Sequence, residues 1–110
     1  MKIDKKDTYT LISSDEKSFS EFYNSFLIEE EKRSKEHIII QISDNINASI
    51  KDFSLFLRIA AQKKENGTSF VLVNSSINID DFPDHFNITP TLQEAIDVIE
   101  MEAMERELGF

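Results

Sequence analysis

The residues of this chain best suited to chemistry are two histidines and a short acidic segment. His37 stands directly before an apolar run, and His85 lies in the acidic segment DDFPDHF, residues 80–86. Carboxylates beside a histidine can ligate a divalent cation, but the glycine and glutamate of an EF-hand loop are missing here. Zinc sites need several His, Cys or carboxylate ligands at matched spacings, and the chain has no cysteine. We therefore expect no metal site, and we interpret the segment as a solvated loop anchored in the core by Phe82 and Phe86.

Other catalytic patterns are also missing from the sequence. Neither Gly67 nor Gly109 has the spacing of a P-loop or of a dinucleotide-binding turn. No Ser-His-Asp order is recognisable, and His37 is typical of a residue at the start of a buried strand. An acidic chain offers many carboxylates for general acid–base work, but nothing singles out a pair. The sequence predicts no catalytic residues, no cofactor and no enzymatic activity.

The charge of the chain argues against two classes of partner. The 110 residues carry a net charge of −9, with a pI near 4.6, which repels phosphate backbones and anionic lipid surfaces. The basic residues are scattered in small groups flanked by acids, which favours solvated surface. No apolar run approaches the roughly 20 residues of a membrane span, and the first residues lack the apolar stretch of a signal peptide. We expect a cytoplasmic protein that binds no nucleic acid directly and no membrane.

Two apolar runs rich in β-branched residues predict buried strands. Residues 37–43, HIIIQIS, and residues 69–74, SFVLVN, are apolar enough to be covered on both faces of a sheet. Weak alternation over residues 2–13 indicates two short strands or one bent strand, and a further short strand is expected around residues 86–89. These runs supply about four to five strands.

Three helices are expected between and after these strands. Ser18 and Glu21 form a capping-box pattern at the start of the first helix, and the same pattern recurs at Thr91 for the last. A middle helix is expected over residues 50–64, ended by Gly67 in a left-handed conformation. Strands that alternate with helices favour one α/β domain, residues 1–110, with a mixed central sheet and helices packed mainly on one face.

The span 38–74 resembles the core of a STAS domain, the fold of bacterial anti-sigma-factor antagonists and of anion-transporter tails. That core has a buried strand, a loop with an Asp-Ser-Ser/Thr-Gly motif at a helix start, a helix, a Gly-containing turn and a strand that often ends in Leu-Val-Asn. The segment TLQEAIDVIE, residues 91–100, is similar to the family's last helix. The resemblance covers most of the chain and implies a STAS-like α/β fold and a regulatory, protein-binding role.

The functional motif of that family is not kept. Its Asp falls on Ser49, its first Ser on Ile50, its phosphoacceptor on Lys51 and its Gly on Asp52. In the family, phosphorylation there adds about −1.5 to −2 charges at a helix start; Lys51 excludes that chemistry. We expect Ser49 to be a helix N-cap, with Asp52 as its first-turn acid. The resemblance places the partner surface over residues 44–53, and the expected partner is a kinase-like anti-sigma protein. The residues predicted to bind it are Asp44, Asn45, Asn47, Ser49, Lys51 and Asp52.

A second resemblance supports an alternative. The chain is similar to small proteins of about this length from Bacteroidetes-type bacteria that often carry the name ribonuclease Z, with an ending like that of residues 90–110. A true ribonuclease Z needs a His-x-His-x-Asp-His cluster for two zinc ions, which is missing here. The alternative function is therefore an RNA-processing hydrolase or its accessory subunit, with an RNA-processing enzyme as partner. A ligand-binding domain is a third reading.

The last helix carries apolar residues beyond what a small sheet covers. We expect it to run from Thr91 to Leu108, with its inner face formed by Leu92, Ala95, Ile96, Ile99, Ala103 and Met104. Methionine adapts its shape to different contacts. We interpret residues 101–110 either as the end of a helix that covers the sheet or as a tail interface to a partner or to a second copy in a homodimer. The residues of that interface are Met101, Met104, Leu108 and Phe110.

Overall fold

Five strands form one mixed sheet whose spatial order is the order of the chain. The computed structural model describes residues 1–109. The strands are β1 (Lys2–Lys5), β2 (Thr10–Ser13), β3 (Ile38–Gln41), β4 (Phe70–Val73) and β5 (Ile88–Thr89). β1 pairs antiparallel with β2, and β2 to β5 are parallel. Of the two readings of residues 2–13, the pair of short strands is confirmed, and so is the predicted α/β class with its mixed sheet.

The helices lie on both faces of this sheet, with the larger share on one. They are α1 (Phe19–Lys32), α2 (Ile50–Ser54), α3 (Leu57–Glu65) and α4 (Leu92–Glu107), and a single 3-10 turn covers Ile79–Asp81. Because each parallel strand is added on the same side of the last, right-handed crossovers place α1, α2 and α3 on one face. α4 follows β5 and returns across the other face.

Two apolar clusters fill the two faces. The larger one joins α1, α2 and α3 to the sheet, and most of its volume is phenylalanine. Its largest buried members are Phe22, Phe26, Phe56, Ile12, Ile38, Ile40, Ile59 and Leu72. The smaller one lies under α4 and consists of Leu11, Ile39, Val71, Val73, Ala95 and Ile99. Alternate residues of β3 and β4 thus enter opposite clusters, which explains why every position of the two strands except Gln41 is apolar.

The predicted continuous helix over residues 50–64 is wrong, because the chain forms two helices there. The hydroxyl of Ser54 donates to the carbonyl of Ile50 at 2.8 Å, a back-bond that bends helices. The amides of Leu55 and Phe56 then bond three residues back, to Asp52 and Phe53, which tightens the turn. Both helices remain packed on the same face of the sheet, where Phe53 of α2 and Ile59 of α3 enter the same apolar cluster.

The predicted inner face of the last helix is correct up to Ile99 and wrong beyond it. Ala103 and Met104 are exposed. A 16-residue helix is about 24 Å long, whereas a four-residue strand spans about 13 Å, so the helix outruns the sheet. Past Ile99 polar side chains take the inner positions: Asn87 donates to Glu102 at 2.8 Å, and Arg106 donates to the Ser69 hydroxyl at 3.2 Å.

All three predicted helix caps are present, but only one closes the full capping box. The hydroxyls of Ser18 and Thr91 accept from the backbone amides of Glu21 and Glu94 without the reciprocal bond to the cap amide. Ser49 and the third residue of α2 exchange both bonds. Gly67 has φ +75 and ends the α3 segment as predicted.

A buried lysine joins α3 to the end of α1. Lys63 is only 1% exposed, and its ammonium donates to the carbonyls of Arg33 at 2.7 Å and Glu36 at 2.9 Å. These carbonyls follow α1, where backbone acceptors lack helical partners. Burial lowers the pKa of Lys63, and the carboxylates of Glu30 and Glu36 oppose that shift. The lysine therefore fixes the turn that leads into β3.

Within residues 1–109, no helix combines the length and the apolar character needed to cross a membrane.

Candidate functional site

The predicted partner-binding residues lie where β3 and β4 end. Because the carboxyl ends of neighbouring parallel strands meet at one edge of a sheet, the loop over residues 42–49 and the segment 74–81 are side by side. A cavity of about 430 Å³ opens between them, which we call the carboxyl-edge cavity. Of the predicted residues, Asp44, Asn45 and Asn47 line it.

Hydrogen bonds clamp the two loops together. The hydroxyls of Ser75 and Ser76 donate to the two carboxylate oxygens of Asp44, at 2.5 and 3.1 Å. The buried amide of Asn74 donates to the carbonyl of Ile42 at 3.0 Å. Loops held in this way lose little freedom when a partner binds, which favours affinity.

Of the other predicted residues, Ser49 and Asp52 stabilise a helix start, and Lys51 is exposed on the surface. The Ser49 hydroxyl accepts from the amide of Asp52 at 3.1 Å, and the Asp52 carboxylate accepts from the amide of Ser49 at 3.0 Å. The prediction that Ser49 is an N-cap is confirmed, so these two side chains hold the start of α2. Lys51 is exposed on the first turn of that helix and makes no ion pair within the part of the chain that the structure describes.

Two isoleucines expose apolar surface beside the cavity. Ile50 is 51% exposed and lines it, and Ile79 is 54% exposed on the segment that forms its other wall. Single exposed isoleucines are common on protein surfaces. Two of them flanking a polar cavity give this edge the mixed apolar and polar character that protein interfaces have.

Sequence reasoning missed the half of this cavity that segment 74–81 supplies. Asn74, Ser76 and Asp81 line it together with the predicted residues. The signal was available, because Asn74-Ser75-Ser76 directly follows a buried strand, as Asp44 follows the other. Residues at equivalent ends of adjacent parallel strands are expected to meet.

The acidic segment around His85 is a surface loop. Phe82 and Phe86 are buried and pack against each other with ring centroids 5.5 Å apart, which confirms their predicted role as anchors. Asp80, Asp84 and His85 are exposed. Among residues 1–109, no three His, Cys, Asp or Glu side chains are grouped so that they could hold a metal ion.

The predicted tail residues form an exposed stripe on α4 and its C-cap. Met101, Met104 and Leu108 are three and four residues apart, which places them on one side of the helix, and each is largely exposed. Glu102 and Arg106 occupy the opposite side, toward the sheet. Phe110, the fourth predicted residue, lies outside the described residues.

His37 stands immediately before β3, as predicted for a strand-start residue, and it is held by β4. The backbone amide of Ser69 donates to its Nδ1 at 2.9 Å, so the neutral ring carries its proton on Nε2. Burial lowers the pKa of His37, and the positive charges of Arg106 and Lys63 lower it further. This histidine is therefore a neutral donor near pH 7.

The comparisons with known proteins leave the family open. No protein-family model matches the chain, and a search of curated proteins found no significant match. The likeness to STAS domains, and with it the identity of the partner, therefore remains a prediction.

Proposed function

We propose that this protein is a cytoplasmic, non-catalytic binding module of the STAS type that regulates a partner protein through the carboxyl-edge cavity and its rim. The observation that carries the proposal is a pair of exposed isoleucines beside a cavity whose loops are clamped by Asp44: Ile50 lines the cavity, and Ile79 lies on the segment that forms its other wall. Apolar side chains on a pre-ordered polar edge are suited to a protein partner.

The charges of the carboxyl edge limit the class of protein that could bind there. Asp44 and Asp81 line the cavity, and Lys51 and Asp52 lie on the first turn of α2 beside it, within a chain of net charge −9. A partner segment with basic and apolar side chains complements this edge in charge and in surface character. An anti-sigma protein of the kinase-like class is the partner that the STAS resemblance implies.

The proposed module has no phosphorylation switch at its helix start. Lys51 replaces the phosphoacceptor, and Ser49 is already engaged as acceptor and cap in the box with Asp52. The charge at position 51 is therefore the fixed charge of Lys51 and not one that a kinase adds. We expect regulation through abundance or assembly.

Site-specific photo-crosslinking in cells of the source organism tests the proposal. A photoreactive phenylalanine analogue at position 50 or 79 is expected to trap one discrete protein, identified by mass spectrometry. Ile28, which is 61% exposed on α1, is the matched control position and is expected to trap none. Because the edge is acidic and the proposed partner segment is basic, Lys51→Glu should increase the adduct from position 79, whereas Lys35→Glu at the other end of the sheet should leave it unchanged.

The proposal fails if positions 50 and 79 trap nothing beyond what position 28 traps. It also fails if the adduct is insensitive to Lys51→Glu, because the rim would then not form the contact. Purified partner and protein should afterwards associate in solution, with the same ranking of variants.

A further inference from the structure

A second cavity lies at the opposite edge of the sheet, and its chemistry differs from that of the carboxyl edge. It has a volume of about 380 Å³ and is bounded by the hairpin between β1 and β2, the turn before β3 and the last turns of α4. We call it the amino-edge groove. Its size is near the lower end of the range for small-molecule sites, about 300–1,000 Å³.

Four cationic side chains from three separate parts of the sequence meet at this groove. Lys5 and Lys6 come from the hairpin, Lys35 from the turn before β3, and Arg106 from α4. β1 runs antiparallel to β2 and α4 returns across the sheet, so both end at the edge where β2 and β3 begin. A local gathering of cations in a chain of net charge −9 attracts an anion that the rest of the surface repels.

Buried Ser69 positions two donors at the groove. Its amide donates to Nδ1 of His37 at 2.9 Å, which leaves Nε2 as the protonated ring nitrogen, and its hydroxyl accepts from Nη1 of Arg106 at 3.2 Å. The imidazole of His37 and the guanidinium of Arg106 are thus oriented before any ligand arrives. A guanidinium fixed at one nitrogen can still present its remaining N–H groups to a carboxylate or phosphate.

The acids at the groove do not cancel these donors. Glu36 is occupied, because Thr10 donates to it at 2.5 Å and Arg33 at 3.2 and 3.3 Å. Its pKa is lowered chiefly by the bond from Thr10, so it stays ionised and engaged. Asp7 and Glu100 are exposed on the rim, as are the three lysines, so solvent screens both signs of charge there and the fixed donors are those of His37 and Arg106.

The remaining lining is apolar. Tyr9, Ile99 and Ala103 supply hydrocarbon and aromatic surface between the hairpin and α4. We infer that the amino-edge groove binds a small organic anion, whose carboxylate or phosphate pairs with Arg106 and His37 and whose apolar body lies against Tyr9, Ile99 and Ala103. This site is independent of the proposed protein-binding edge, because none of its residues lines the carboxyl-edge cavity.

Amide NMR titration of the full chain tests the inference with four probes of known charge. Benzoate and phenyl phosphate carry the expected head and body, benzylamine carries the opposite charge, and inorganic phosphate lacks the body. We expect saturable shifts of the amides of residues 5–10, 35–38 and 99–106 with benzoate, phenyl phosphate or both. The stronger of the two identifies the head group as carboxylate or phosphate.

Arg106→Gln should weaken the better probe about tenfold, which corresponds to one lost charge-assisted pair. Lys35→Gln, whose exposed side chain is not needed for folding, should weaken it about threefold. Lys51→Gln at the opposite edge is the control and should leave binding unchanged. The inference is wrong if benzylamine or inorganic phosphate produces the same shifts, if no probe saturates, or if folded Lys35→Gln and Arg106→Gln both bind as the wild type does.

Discussion

Replacement of Lys63 by methionine probes the one buried ammonium described in residues 1–109. The change keeps the length of the side chain and removes both hydrogen bonds, to the carbonyls of Arg33 and Glu36. Bonds from a charged donor contribute about 1.5–3 kcal/mol each, but the substitution also removes the cost of burying the charge, which is several kcal/mol. The net cost of the substitution is therefore chiefly that of two buried carbonyls left without a donor, about 1–3 kcal/mol each.

We expect Lys63→Met to lower the free energy of unfolding by about 2–4 kcal/mol. A domain of this size shifts by roughly 4–5 °C per kcal/mol, so the Tm should fall by about 8–20 °C. Guanidinium denaturation and calorimetry measure both quantities. Hydrogen exchange should also accelerate at residues 33–38, because the turn into β3 loses its anchor.

Lys64→Met is the matched control, since Lys64 is the exposed neighbour on the same helix. Its stability is expected to stay within about 0.5 kcal/mol of the wild type. Equal stability of the two variants would refute the reasoning, because the bonds to the end of α1 would then contribute nothing beyond the cost of burying their donor.

Three further substitutions should change the stability of the fold in a direction that follows from the geometry. His37 has a lowered pKa, so below about pH 6.5 the unfolded chain binds a proton that the folded ring resists, and stability should fall between pH 7 and 5. His37→Gln, which keeps an acceptor for the amide, should flatten that slope in denaturation curves. Ser49→Ala should cost about 1 kcal/mol by chemical denaturation because it opens the capping box, and a cost near zero would contradict the cap. Gly67→Ala meets no atom within 4 Å, so it should cost only the left-handed strain of about 1–2 kcal/mol, and a larger loss would indicate a clash. The purified protein with Zn²⁺ or Mn²⁺ should not cleave a tRNA precursor, and cleavage by clean protein would favour the hydrolase alternative.

The sequence predicted those parts of the fold that local chemistry decides. Runs of β-branched residues such as Ile38, Ile39 and Ile40 have few alternatives to a buried strand. Ser49, three residues before the first-turn acid Asp52, is a cap wherever the helix packs. The break after Ser54 was missed because the periodicity of the apolar residues continues through it. A hydroxyl that bonds back to the preceding turn leaves no trace in that pattern.

The two sites were harder to predict because each is formed by residues that are distant in sequence. Asp44 was predicted as a partner contact, but its bonds to Ser75 and Ser76 require β3 and β4 to be adjacent. The amino-edge groove was not predicted at all, because its lysines and Arg106 are scattered and each was read as solvated surface. Only the return of α4 across the sheet brings Arg106 to the start of β3.

The outermost strands determine how this protein can assemble. β1 presents lysines at both of its ends, Lys2 and Lys5, and β5 has only two residues. Charged and very short strands are the means by which sheets avoid pairing with strands of other chains, and so avoid aggregation. Addition of a strand from another chain is therefore disfavoured at both sides of the sheet, which fits the proposed recognition through side chains at the ends of the strands.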